Sequence, residues 1–172
     1  MVPIESAPGN AHRMAFTIRL PRGVVCGITS FNSPLNMVVH KVAPALASGN
    51  TVVIKPPQAT PLSAALLVQI LLDAGLPPGH VNLVQGPGSE ISALAGGEPG
   101  HRVLHLYRAA LKSAKQLQQS VGLRPVALEL GSIAAIIVCD DADLERAATR
   151  SANSAFRRAG QACILRAAPI RG

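Results

Sequence analysis

The sequence predicts an α/β fold in which helices flank a mostly parallel sheet. Short runs rich in Val and Ile alternate along the 172-residue chain with segments whose apolar residues recur at helical spacing. Aromatic residues make up 2% of the chain and hydrophobic residues 48%, so Ala, Val, Leu and Ile must build the core. Such alternation implies right-handed crossovers between parallel strands, with ligands bound where the strands end.

Turn and capping residues divide the chain into its elements. The predicted strands cover residues 15–20, 23–28, 51–54, 81–84, 103–106, 126–130 and 134–138. The predicted helices cover residues 35–48, 60–74, 88–95, 109–120 and 141–158. Gly49-Asn50 is a typical helix stop. Thr60 is expected to cap the second helix, with Pro61 in its first turn.

Charge and cysteine content exclude several classes of function. The net charge is +7, from 16 Lys and Arg against 9 Asp and Glu. The basic residues are scattered and no aromatic residues interleave with them, so no nucleic-acid partner is predicted. The three cysteines have no metal-ligand spacing, and Cys26 and Cys139 lie in apolar runs typical of a core. The odd count and the lack of a secretion signal favour the cytoplasm, and no apolar stretch reaches the length of about 18 residues that a membrane span needs.

Four short segments carry the chemistry of the sequence. They are Phe31-Asn32-Ser33-Pro34, Lys55-Pro56, Leu128-Glu129-Leu130-Gly131 and Gly160-Gln161-Ala162-Cys163. Taken singly, each has an ordinary explanation, such as a turn asparagine, a solvated carboxylate or an inert thiol. Together, however, a thiol and a carboxylate are the two groups needed to make and then hydrolyse a thioester.

In order and spacing, these segments resemble the NAD(P)-dependent aldehyde dehydrogenase superfamily over roughly residues 15–165. The resemblance implies that Cys163 is the nucleophile, that Glu129 activates water and that Asn32 donates to the oxyanion. It implies oxidation of a small aldehyde with NAD or NADP as cofactor. The positions it assigns to cofactor binding are Lys55, Ser30, Phe31, Gln58 and Gly131.

The sequence departs from the family pattern at places that bind the cofactor. Gln58 stands where relatives have a carboxylate that would bind ribose hydroxyls, which leaves NAD against NADP open. Relatives have a Phe-Thr-Gly-Ser loop where this chain has residues 106–109, with Arg108 at the first glycine position and Ser113 at the second. We therefore expect weak or absent cofactor binding. A local shift of reading frame near the codons for residues 104–108 would account for the break.

The segment after the catalytic cysteine also differs from the family. The chain ends nine residues after Cys163 and its tail, residues 166–172, does not resemble the strand expected there. The expected domains are an extension with one strand at 1–22, a Rossmann-like domain at 23–158 and the start of a truncated catalytic domain at 159–172. Family members are homo-oligomers, but their oligomerisation segment is expected to be missing from this chain.

An incomplete aldehyde dehydrogenase fold of this kind is expected to be inactive alone. Two alternatives remain open. One is a degenerate, non-catalytic binding or interaction module. The other is a cofactor-independent thiol esterase that uses Cys163, Asn32 and Glu129. For the substrate, residues 131–134 are similar to relatives that oxidise small anionic aldehydes.

Overall fold

A computed structural model describes residues 2–4, 15–87, 105–108, 111–132, 134–163 and 166–171. The strands are β1 (Val2–Ile4), β2 (Ala15–Thr17), β3 (Val24–Ile28), β4 (Thr51–Lys55), β5 (Val81–Leu83), β6 (His105–Arg108), β7 (Val126–Glu129), β8 (Ala134–Val138) and β9 (Arg166–Arg171). The helices are α1 (Pro34–Ala47), α2 (Leu62–Asp73), α3 (Leu111–Val121) and α4 (Leu144–Phe156), followed by a 3₁₀ turn, Arg157–Gly160.

The central sheet has five strands in the order β5-β4-β3-β6-β7, and every neighbouring pair in it is parallel. This confirms the predicted fold class and the predicted parallel arrangement of the strands near residues 24–28, 51–54, 81–84 and 126–130. The chain runs outward from β3 to β5 and then returns to add β6 and β7 on the other side of β3. Strand order therefore reverses between β3 and β6, which is where open parallel sheets bind ligands.

The core lies where α1 and α2 cover β3, β4 and β5. Its fully buried members are short aliphatic residues, as the scarcity of aromatics predicted; they include Val38, Val52, Ile54 and Ala64. Small side chains let α1 approach the sheet closely. The first residue of α1, Pro34, follows directly on the loop that carries Asn32.

The predicted end of α1 is confirmed. Gly49 has φ +78°, a left-handed conformation that glycine adopts without a Cβ clash. The buried side chain of Asn50 then accepts hydrogen bonds from the backbone N–H groups of Arg22 at 2.6 Å and Gly23 at 3.0 Å. The Asn50 amide thus connects the end of α1 to the start of β3. Because Asn50 also directly precedes β4, it fixes where β3 and β4 enter the sheet.

The predicted capping bond at the start of α2 is wrong. Pro61 has helical dihedrals (φ −77°, ψ −29°) and the helix proper begins at Leu62. Thr60 Oγ1 is buried without a hydrogen-bond partner among the described residues. The backbone turn that the proline favours is present, but the hydroxyl does not bond to the first turn of the helix.

Three other expectations are corrected. The tail forms a strand after all, because β9 pairs in parallel with β8 through backbone groups that do not depend on the family's side chains. Cys139 is exposed rather than in the core, since it lies just beyond the last residue of β8. The stretch 1–22 contains two paired strands, of which the sequence indicated only β2. The predicted helix at 88–95 lies outside the described residues.

Candidate functional site at the carboxyl edge of the sheet

Three of the predicted site residues lie at one edge of the sheet. Lys55 is the last residue of β4 and pairs with Ile28, the last residue of β3. Glu129 is the last residue of β7 and pairs with Arg108 at the end of β6. Asn32 follows β3 by four residues. Because all five strands run the same way, these residues share the carboxyl edge that also contains the switch point.

The Asn32 side chain is oriented by contacts at both of its polar atoms. Ser30 Oγ donates to Asn32 Oδ1 at 2.7 Å, and Asn32 Nδ2 donates to the backbone oxygen of Gln161 at 2.6 Å. This network identifies which end of the amide is the donor. An NH₂ group has two hydrogens, and the bond to Gln161 uses one of them.

Cys163 lies on a turn that comes after α4. Asp143 begins this helix, with its carboxylate accepting from the backbone N–H of Arg146 at 3.0 Å. The chain leaves the helix through the 3₁₀ turn and reaches the half-buried thiol of Cys163 as predicted, outside regular structure. The hydrogen bond between Asn32 and Gln161 brings this turn against the loop after β3, although the two are 129 residues apart in sequence.

Lys55 is a buried cation, with 6% of its surface exposed. Its Nζ donates to the backbone oxygen of Pro56 at 3.1 Å. Burial lowers the pKa of Lys55 below its ordinary value of 10.5, because desolvation penalises the charged form. A desolvated ammonium with one short-range acceptor among the described residues fits the electronegative oxygens of a nucleotide ribose or phosphate.

Glu129 is brought to the same edge but not into contact with Asn32. It is exposed, and its strand lies two places from β3. At the usual strand spacing this separates the two strands by about 10 Å. The end of β6 lies between these two strands, so the strand positions alone do not bring the predicted base against the predicted oxyanion donor.

The remaining predicted cofactor residues follow strands of this sheet within a few residues. Ser30 is half-buried and donates to Asn32. Phe31, Gln58 and Gly131 are exposed. Nothing lies within 4 Å of the point where a Cβ on Gly131 would be. The described residues thus do not themselves require glycine there.

Sequence reasoning missed one residue that contacts the site. Arg158 Nη1 donates to the backbone oxygen of Asn32 at 3.4 Å and also to Ser33 Oγ. In the sequence it belongs to a scattered group of basic residues with no distinguishing pattern. Only its position, five residues before Cys163, could have drawn attention to it.

A separate groove of about 700 Å³ lies toward the opposite edge of the sheet, between residues 18–22 and α1. Arg19, Arg22 and Lys41 are among its lining residues, and none of the predicted site residues is. In the described part of the chain, no group of three or more His, Cys, Asp or Glu side chains could hold a metal ion. None of its helices is long and apolar enough to cross a membrane.

Comparison with known proteins decides the family. A sequence model of the aldehyde dehydrogenase family matches residues 2–167. The chain belongs to this family. A 3-sulfolactaldehyde dehydrogenase from Priestia aryabhattai is 45% identical over 163 residues, which cover 95% of this chain and 34% of the relative. Betaine aldehyde dehydrogenase 2 from Rhizobium meliloti (strain 1021) is 42% identical over 149 residues, covering 86% of this chain and 31% of the relative.

Solved structures agree with the family assignment. An aldehyde dehydrogenase from Brucella melitensis biovar abortus 2308 has a TM-score of 0.90 and 34% identity, covering 99% of this chain and 35% of that one. A mutant of aldehyde dehydrogenase C from Pseudomonas syringae, solved with NAD+ and octanal, has a TM-score of 0.85 and 37% identity, covering 89% and 32%. This aldehyde dehydrogenase family chain thus spans about a third of the length of the relatives it matches.

Proposed function

We propose that this chain carries the nucleophile, the oxyanion donor and the cofactor-binding part of an NAD(P)-dependent aldehyde dehydrogenase. The reaction is oxidation of an aldehyde to a carboxylic acid through a thioester on Cys163. One observation supports this most directly. Asn32 Nδ2 bonds to the backbone oxygen of Gln161, two residues before Cys163, so the donor and the nucleophile belong to adjoining loops.

The first step is attack of the Cys163 thiolate on the aldehyde carbon. A C–S bond forms, and the carbonyl oxygen gains a negative charge. Asn32 stabilises that charge with the second hydrogen of Nδ2, while Ser30 and Gln161 prevent the amide from turning its oxygen toward the oxyanion. An amide fixed in advance is a better catalyst than a mobile one, because it does not reorganise during the reaction.

The second step breaks the thioester. Water adds to the acyl carbon, Glu129 accepts the proton from that water, and the C–S bond breaks to release the acid and regenerate the Cys163 thiol. Glu129 is suited to act through water because its strand lies two places from β3 and its carboxylate is exposed.

Lys55 is the residue proposed to hold the cofactor, together with Ser30, Phe31, Gln58 and Gly131, which lie in the loops that follow β3, β4 and β7. Bound NAD or NADP would supply the hydride acceptor for the step between attack and hydrolysis. We expect weak affinity for the cofactor. Strand β6, the neighbour of β3, ends at Arg108, and Arg108 and Ser113 stand at positions where the family has glycines. Each charge-assisted bond to a diphosphate that is not made costs about 1–3 kcal/mol.

For the substrate, we propose a small anionic aldehyde. The relative from Priestia aryabhattai is named for 3-sulfolactaldehyde, an aldehyde with a sulfonate group, and it is 45% identical to this chain. Arg158 lies on the turn that leads to Cys163 and gives that turn a positive charge. A positive field of this kind would attract an anionic substrate.

The experiment that tests the chemistry treats the purified chain with an activated ester, p-nitrophenyl acetate. One equivalent of nitrophenolate should be released as Cys163 is acylated, and mass spectrometry should find the acetyl group on the Cys163 peptide. Asn32→Ala should slow acylation about 10²–10³-fold, as loss of an oxyanion donor does. The matched control is Asn82→Ala, which removes an exposed amide from β5. Acylation at Cys139 instead, or an equal effect of both substitutions, would contradict the assignment.

The isolated chain is proposed not to turn over aldehydes. It corresponds to 34% of the relative from Priestia aryabhattai, and catalysis needs its groups held within about 0.5 Å of productive geometry by supporting side chains. The assay uses small anionic and neutral aldehydes with NAD and NADP, and follows absorbance of the reduced cofactor. Turnover above a Cys163→Ala control would show that the chain assembles a working site by itself.

A further inference from the structure

The turn before Cys163 has an unusual backbone. Arg158 (φ 53°, ψ 37°) and Ala159 (φ 52°, ψ 36°) are both left-handed, and Gly160 follows with φ +76°. L-residues with a side chain rarely adopt this region, and two in succession persist only when surrounding contacts hold them. The turn is therefore held by interactions outside itself.

Two such interactions connect the turn to the loop after β3. At one end, Arg158 Nη1 donates to Ser33 Oγ and, at 3.4 Å, to the backbone oxygen of Asn32. At the other end, the backbone oxygen of Gln161 accepts from Asn32 Nδ2 at 2.6 Å. Two attachment points three residues apart fix the rotation of the turn as well as its distance from the loop.

The role of Ser33 supports the importance of the Arg158 contact. Ser33 precedes α1 and has 7% of its surface exposed, yet its hydroxyl makes no capping bond to that helix. Serine at this position ordinarily bonds to a backbone N–H of the first turn. A positive charge beside a helix N-terminus is moreover unfavourable for the helix dipole. Helix electrostatics therefore do not explain the contact, whereas the two oxygen acceptors do.

We propose that Arg158 is a positioning residue, which holds the turn that carries Cys163 against the loop that carries Asn32. This inference rests on the proposed function, because only then do these two loops form one site. Arg158 acts through Asn32 and Ser33 rather than by touching the substrate. Its guanidinium supplies charge-assisted bonds, which are shorter and stronger than neutral ones.

The test compares four variants of the full chain with wild type. Arg158→Ala removes the guanidinium, and Ala159 shows that alanine adopts the same left-handed backbone in this turn. Arg158→Lys keeps a cationic donor, and Ser33→Ala removes one acceptor. Arg157→Ala is the control, because it removes the neighbouring exposed guanidinium from the same turn.

Two measurements are made on each variant. Hydrogen exchange of the backbone amides in residues 157–163 reports whether the turn is held, and it needs neither cofactor nor substrate. The rate of Cys163 acylation by p-nitrophenyl acetate, taken as a function of ester concentration, separates the saturating rate from the half-saturating concentration. Ester binding does not use the Arg158 contacts, so only the saturating rate should respond.

We expect Arg158→Ala to speed exchange and to lower the saturating rate, each about tenfold, with the half-saturating concentration unchanged. Arg158→Lys should recover part of both, Ser33→Ala should reproduce part of both, and Arg157→Ala should match wild type. Unchanged exchange in Arg158→Ala, or equal effects of Arg157→Ala, would overturn the proposal. If wild-type Cys163 is not acylated at all, the proposed function fails, and the exchange data alone decide whether Arg158 holds the turn.

Discussion

Gly27 lies in the middle of β3 where α1 crosses the strand, and replacing it with alanine should destabilise the chain. A Cβ at this position would come within 2.6 Å of Ile54 Cδ1 and 3.1 Å of Lys41 Cδ. Ile54 is fully buried, so the end of its side chain would have to shift within a packed core, whereas Lys41 borders the groove between residues 18–22 and α1. A Cβ on Gly27 would therefore meet side chains of both the neighbouring strand β4 and helix α1.

The expected magnitude follows from two opposing effects. Forcing a methyl group into a packed interior costs about 1–3 kcal/mol. Replacing glycine in a strand also lowers the entropy of the unfolded chain, which stabilises by about 0.4–1 kcal/mol. The net result should be a loss of about 1–2 kcal/mol, which lowers the melting temperature of a chain of this size by about 2–8 °C.

Thermal unfolding followed by circular dichroism measures this directly. Gly131→Ala is the matched control, because no described atom lies within 4 Å of its added Cβ and its φ is not in the left-handed region. The control should melt at or slightly above the wild-type temperature. If Gly27→Ala melts with it, α1 does not pack on β3 as closely as the structure indicates, and the reasoning from these contacts is wrong.

Two further predictions follow from buried ionisable groups. Burial lowers the pKa of Lys55 below 10.5. Between the pKa in the folded chain and 10.5, the unfolded chain therefore binds more protons than the folded chain. The free energy of unfolding should rise with pH over that interval. Urea unfolding should show this rise abolished in Lys55→Met and kept in the exposed-site control Lys115→Met. Burial also raises the pKa of Cys26 to about 11. At pH 8 iodoacetamide should therefore modify Cys139 and Cys163 but leave Cys26 until urea is added, and early loss of the Cys26 thiol by mass spectrometry would contradict this.

The parallel sheet could be predicted because its determinants are local. Runs such as residues 51–54 are apolar on both faces, and the turn at Gly49-Asn50 uses residues whose backbone preference is strong. Once the strands are parallel, their carboxyl ends must share an edge. The common placement of Lys55 and Glu129 therefore follows from the strand assignments alone.

The features that the sequence did not predict depend on contacts between distant segments. Arg158 meets Ser33 across 125 residues, and a lone arginine has no sequence signature for such a partner. β9 pairs with β8 through backbone groups, which have no sequence signature, even though Pro169 within β9 has no N–H to donate. Thr60 shows the opposite failure, since its local capping signal is clear and its hydroxyl nevertheless makes no bond in the described structure.

The connections within the site also distinguish the proposed role of Asn32 from that of Glu129. Asn32 is connected to the turn that carries Cys163 by a direct hydrogen bond, so its position changes with that of the nucleophile. Glu129 belongs to a strand two places away, and its position is set by the sheet and not by that turn. A group that must stabilise charge during attack gains from moving with the nucleophile. A base that activates water in the later hydrolysis needs access to water, and the exposed carboxylate of Glu129 has it. Loosening the turn should therefore slow acylation of Cys163 more than hydrolysis of an acyl group already formed.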